Sequence, residues 1–146
     1  MSGSADGPDD LSGITQRACA DIAARTAPAE HFSGTVQMEP LSKRDGFDCE
    51  TLRVTFAPGG RTGWHTHPVG QILIVTAGCG IIATRSGSRR MSSGDVIEIP
   101  ADVEHWHGAT DETLMQHIAI QPGGATRWQA LVSDADYATG IEMALQ

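Results

Sequence analysis

A chain of 146 residues, 40% apolar and 19% charged, suffices for one domain that buries roughly two-thirds of the surface its unfolded form exposes. Its net charge of −8 repels a phosphate backbone, and the one basic cluster (Arg85, Arg89 and Arg90 around Ser86-Gly87-Ser88) reads as a solvated hairpin tip, which argues against nucleic acid as a partner. The longest apolar run, around residues 72–75, is too short to cross a bilayer, the polar start MSGSADGPDD has no signal-peptide character, and three cysteines without CxxC spacing fit a reduced, cytoplasmic protein with no membrane partner.

Residues 1–10, small, acidic and carrying Gly and Pro, read as a disordered tail, and 11–146 as a single domain. Leu11, Ile14, Ala18 and Ile22 recur at three- and four-residue spacing, which predicts a short amphipathic helix ending before Pro28. From Phe32 onward the texture changes to β-branched runs over 34–41, 49–57, 71–78, 80–86, 95–100 and 113–121. Turn residues separate them: Pro58-Gly59-Gly60, Gly78, Ser86-Gly87-Ser88, Ser93-Gly94-Asp95 and Pro122-Gly123-Gly124. Short strands with Gly/Pro turns and no intervening helix predict an all-β antiparallel sandwich or barrel, its core at about 32–122. Ser133, three residues before Asp136, marks the N-cap of a last helix.

The chemistry lies in the histidines. Five of the six fall at 65, 67, 105, 107 and 117, in two HxH pairs and one strand. On an extended strand His65 and His67 share a face, and Gln71 has the same parity, so its amide oxygen can reach the same point. His105, on a later strand, completes a set of three nitrogens and one oxygen. Imidazole accepts manganese, iron, nickel, zinc and copper alike, so the ligand types leave the metal open. Gln71 brings no charge. Three neutral imidazoles and an amide leave a dication's full charge facing the pocket, where a glutamate would cancel part of it; a neutral residue merely tolerated at that position is the plainer alternative.

The spacing resembles that of the small single-domain cupins, whose first motif is G(X)5HXH(X)3-4E(X)6G and second G(X)5PXG(X)2H(X)3N. The first reads here as Gly59, His65, His67, Gln71 and Gly78, with glutamine for glutamate. The second reads as Gly94, Pro100, Asp102 for glycine, His105 and Ala109 for asparagine. The resemblance covers about residues 32–138 and implies a cupin jelly-roll barrel with short N- and C-terminal helices. "RTGWHTHPVGQILIVTAGCG", "HWHGA" and "HIAIQ" are similar to the bacterial cupin hydroxynitrile lyases. That subgroup implies a manganese ion (Mn2+; Fe2+, Ni2+ or Zn2+ as alternatives) on His65, His67, Gln71 and His105, with two further pocket histidines.

Those two are His107, which shares parity with His105 across Trp106, and His117, in an apolar strand with Met115 and Ala119 on its face. Non-ligand imidazoles beside a metal are natural proton carriers, or else hydrogen-bond partners that only orient the ligands. Leu52, Val54 and Phe56 alternate to form an apolar wall suited to a small hydrophobic substrate, while Thr62 and Gln121 offer polar groups to the same pocket, Thr62 equally well as a loop cap. His31 and Cys79 read as structural. The expected activity is a metal-dependent lyase on small carbonyl compounds and cyanohydrins. An Fe/Mn-dependent dioxygenase and a non-enzymatic, metal-dependent small-molecule binder are the alternatives. Strands buried on both faces predict a homodimer or homotetramer.

Overall fold

The computed structural model describes residues 13–42 and 47–146. A 3-10 turn at Cys19–Asp21 precedes twelve strands: β1 Arg25–Thr26, β2 Phe32–Ser33, β3 Val36–Pro40, β4 Cys49–Phe56, β5 Arg61–Thr62, β6 His65–Thr66, β7 Gly70–Thr84, β8 Gly87–Ser92, β9 Val96–Pro100, β10 Trp106–Ala109, β11 Met115–Pro122 and β12 Arg127–Trp128. A helix, α1, follows at Asp134–Ala144. Every pairing is antiparallel. The long β7 joins two curled sheets: its first half pairs with β9 and with β11, beyond which lie β4, β3 and β1, and its second half pairs with β8 and with β10, beyond which lie β5 and β2. A separate ribbon pairs β6 with β12. The architecture is that of a cupin jelly roll.

Alternation along the strands fills the space between the sheets. Leu52, Val54 and Phe56 on β4, Leu73 and Val75 on β7, and Met115 and Ala119 on β11 are buried, while most of the residues between them are partly exposed. A second apolar cluster forms on the other side of the β7–β10 sheet. Trp64, Ile81, Ala83, Trp106 and Val132 pack there against Tyr137, Ile141 and Ala144 of α1. The helix starts as expected, with the Ser133 hydroxyl accepting from the Asp136 N–H at 3.0 Å. Buried Arg61 holds it in place through the Val132 carbonyl (2.8 Å), Asp134 (3.0 Å) and a stack on the Tyr137 ring.

Three expectations are corrected. The helix drawn through 11–22 is only the 3-10 turn; Ile14 is 66% exposed, so the described part of that segment has no apolar face to bury, and without one a short helix is not stable. The tail 1–10 and Leu11 lie outside the described residues. Gly78 does not separate two strands but bends one, since β7 runs unbroken through it. The hairpin tip is Arg85-Ser86, with Gly87 and Ser88 already paired to Thr84 and Ala83. Arg85 is not wholly solvated either: its guanidinium lies 3.7 Å from the Trp64 ring centroid and donates to Glu104 at 2.8 Å. Among the described residues no helix is long and apolar enough to cross a membrane.

Candidate metal centre and its pocket

His65 and His105 come from distant parts of the chain and are fixed to each other by an antiparallel bridge. Each N–H donates to the other's carbonyl at 3.0 Å. His67 lies just past the end of β6 and Gln71 on β7, so the single strand expected to carry all three is interrupted. The His67 carbonyl accepts from the Asp102 N–H at 2.9 Å. Asp102 stands where the cupin motif has glycine and adopts φ 62, a conformation that a short polar side chain tolerates best after glycine. The result is a buried triad, His65, His67 and His105, whose potential ligand atoms lie within 4.8 Å of one another. Such a group is capable of holding a metal ion.

The second nitrogen of each ring says which atom is available. Nδ1 of His65 donates to the Gly63 carbonyl (2.9 Å) and Nδ1 of His105 to the Val103 carbonyl (2.9 Å), while Nδ1 of His67 meets the Thr126 hydroxyl at 3.3 Å. A carbonyl only accepts, so Nδ1 carries the proton in His65 and His105 and Nε2 has the lone pair. Nε2 of His67 is buried, with the Gln71 side chain beside it and no hydrogen bond that satisfies it among the described residues. Burial holds all three imidazoles neutral: His65 falls well below its ordinary pKa, with neighbouring His105 adding to the effect, His67 is lowered, and His105 is pushed down to about 4. Neutral, Nδ1-anchored imidazoles with Nε2 converging are the donor set that a divalent transition metal requires, so the residues fit the ion that the fold implies.

Gln71, buried on β7, places its amide oxygen 3.4 Å from Nε2 of His105. His107 and His117 lie beside the triad rather than in it. The His107 ring is 5.3 Å from that of His65 and 5.6 Å from that of His105, and its Nδ1 is hydrogen-bonded to Nε2 of His117 at 3.1 Å. Nε2 of His107 and Nδ1 of His117 are buried and make no hydrogen bond to another residue among the described ones. Burial lowers His107 well below the usual range, with His117 beside it contributing, and brings His117 to about 4. Two neutral rings carry two N–H protons, one of them in the hydrogen bond between the rings, and leave one outer nitrogen free to accept another.

A cavity of about 750 Å³ opens in front of this cluster and is lined by all the expected pocket residues: Leu52, Val54, Phe56, Thr62 and Gln121. Phe56 meets both His107 and His117 with its ring. The Thr62 hydroxyl donates to the Gly63 carbonyl at 2.8 Å and accepts the His107 N–H at 3.2 Å, which fixes the backbone on either side of the site. The cavity has a further wall that the sequence did not reveal. Trp128 stacks on His31 (4.6 Å, 7°), tilts against Phe32 and lies 4.8 Å from the His65 ring, so His31 lines the pocket as well as packing on Trp128. No spacing rule connects a loop histidine to a tryptophan nearly a hundred residues later; only the β6–β12 pairing of His65 with Trp128 does.

Residues 52–127 match the family model for the cupin domain. The chain is 45% identical over 115 residues to an (R)-mandelonitrile lyase of Granulicella tundricola, covering 75% of this chain and 88% of that protein. Among solved structures it is similar to a cupin-like protein from Thermotoga maritima, with 37% identity, a TM-score of 0.78 and coverage of 80% of this chain and 92% of the other. The polyketide cyclase RemF from Streptomyces resistomycificus shares the fold at 18% identity, with a TM-score of 0.70 and coverage of 85% and 90%. Sheet topology, histidine triad and sequence thus lead to one assignment: the chain belongs to the cupin family.

Proposed function

We propose that this cupin is a metal-dependent hydroxynitrile lyase-like enzyme that joins cyanide to, or releases it from, a small carbonyl compound, with manganese held by His65, His67, His105 and Gln71. The observation that carries the reading is the hydrogen-bonded His107–His117 pair beside the triad, two unligated neutral imidazoles at the head of an apolar cavity. The relative named (R)-mandelonitrile lyase supports the same class of reaction. When bound, the dication supplies Lewis acidity, which favours negative charge on a nearby oxygen, and a neutral amide ligand leaves that charge uncompensated.

The chain's own residues do the rest. Leu52, Val54 and Phe56 hold the organic body of the substrate and exclude water. In cleavage the His107–His117 pair takes the cyanohydrin hydroxyl proton as the C–CN bond breaks and passes it to the departing cyanide, which leaves as HCN. In synthesis it takes the proton of HCN and returns it to the oxygen as the C–CN bond forms. Because both rings are neutral at pH 7, the pair starts as a base in either direction. The test is cyanohydrin turnover. Manganese-loaded protein should form mandelonitrile from benzaldehyde and cyanide faster than free metal, with one enantiomer in excess. A racemic product at the background rate would refute the reading and redirect attention to oxygen-dependent chemistry, read as O₂ uptake with enolic or phenolic substrates.

A further inference from the structure

We infer that Glu50, at the mouth of the pocket, is a positioning residue: through Gln121 it sets which end of the Gln71 amide faces the histidines. The inference rests on the reading of Gln71 as an oxygen ligand. Glu50 lies opposite Gln121 in the β4–β11 register and shares its strand face with buried Leu52, Val54 and Phe56. Unlike those three it is exposed, at the outer end of the strand, so its bond to Gln121 is not a consequence of core packing. Its carboxylate accepts from Gln121 Nε2 at 2.8 Å, Gln121 Oε1 accepts from Gln71 Nε2 at 2.6 Å, and Gln71 Oε1 then lies 3.4 Å from Nε2 of His105.

The direction of this relay follows from chemistry at its outer end. A glutamine amide can be turned over with little change of shape, so its nitrogen and oxygen are told apart only by their partners. An ionised carboxylate cannot donate. Glu50 therefore obliges Gln121 to present its NH₂ outward and its oxygen inward, and that oxygen in turn takes the NH₂ of Gln71. The only Gln71 atom left to face the histidines is the oxygen, the one atom of the amide that binds a cation. A glutamate at position 71 would need no such arrangement, since either of its oxygens serves. The relay is thus the counterpart of having glutamine at this position.

The experiment measures Mn2+ affinity, by chelator competition, for Glu50→Lys and Glu50→Gln in the Gln71 protein and in the Gln71→Glu background, with Gln71→Ala and His65→Ala as references. Lysine only donates, so it reverses the relay; glutamine still offers an acceptor. Glu50→Lys should weaken Mn2+ binding by about 10- to 100-fold in the Gln71 protein, the usual effect of losing a residue that orients a ligand. With Gln71→Glu the same change should cost no more than about 3-fold, because a reversed Gln121 then donates to the new carboxylate. Glu50→Gln should keep affinity near that of the parent. Equal losses in both backgrounds would reduce Glu50→Lys to charge repulsion and overturn the inference, as would a Glu50→Gln loss as large as that of Glu50→Lys. If Gln71→Ala binds Mn2+ as well as the parent while His65→Ala does not, the ligand assignment itself fails; if Gln71→Ala weakens binding and Glu50→Lys does not, only the relay fails.

Discussion

His107 and His117 differ from the triad in what holds them. The three triad rings have Nδ1 engaged by backbone carbonyls or a hydroxyl, whereas these two are hydrogen-bonded to each other. Replacing either by alanine should therefore leave Mn2+ content near that of the parent and lower cyanohydrin turnover by roughly 10²- to 10⁴-fold, the usual contribution of a positioned acid or base. Metal analysis and turnover on the same preparations check this; parallel loss of metal and activity would make the pair a support for the ligands instead. His117 was legible from strand parity, which puts it on the buried face of β11 with Met115 and Ala119. His65, His67 and Gln71 were legible only from their spacing, because β6 ends at Thr66 and β7 begins at Gly70 and no single strand carries all three. Parity says nothing about loops. His31 and Trp128 reach the cavity by long-range pairing, and the role of Glu50 depends on a cross-strand partner in another segment, so all three stayed hidden until the strands were paired.

At the scale of elements, the strand runs were readable from β-branched texture, but their joins were not. A glycine inside an apolar run signals either a break or a bend, and composition does not distinguish them. In β7 it is a bend. Gly78 has φ +72, and a Cβ added there would collide with the Leu114 carbonyl oxygen, at the point where the strand passes from the sheet holding Gln71 to the sheet paired with β10. β8, rich in Arg and Ser, was expected only as the return strand of the hairpin, because its membership depends on the β7 partner and not on its own polar sequence, with Met91 as its only buried side chain. Gly78→Ala should thus be costly despite the small change. It forces a left-handed conformation on a residue with a Cβ and displaces the backbone before Met115, for a loss of at least about 2 kcal/mol. Urea denaturation of the two proteins gives the difference directly, and an unchanged midpoint would mean that the bend is not constrained as drawn.

For the whole molecule, the cluster makes stability depend on protons and metal together. Five imidazoles, at 65, 67, 105, 107 and 117, are held below their ordinary pKa, with burial the leading cause in each. Unfolding returns them to water and to a pKa near 6.5, so the unfolded chain binds more protons than the folded one as pH falls through 6.5. The sign is then fixed: stability is full above about pH 6.5 and is lost progressively toward pH 4. His117 alone, brought down to about 4 in the folded state, accounts for up to about 3 kcal/mol of that loss, a large share of the 5–15 kcal/mol typical of a domain. Metal opposes the trend, since an ion at 100 times its Kd adds about 2.7 kcal/mol while competing with protons for Nε2 of the triad. The Tm of metal-free protein should therefore fall steeply between pH 6.5 and 5, above the range where most carboxylates titrate. His117→Gln should make that slope shallower, and the rise in Tm on adding Mn2+ should shrink as the pH is lowered. Calorimetric melts of metal-free and loaded protein across this window test the prediction, and a Tm independent of pH in the metal-free protein would mean that the imidazoles are not desolvated in the folded chain.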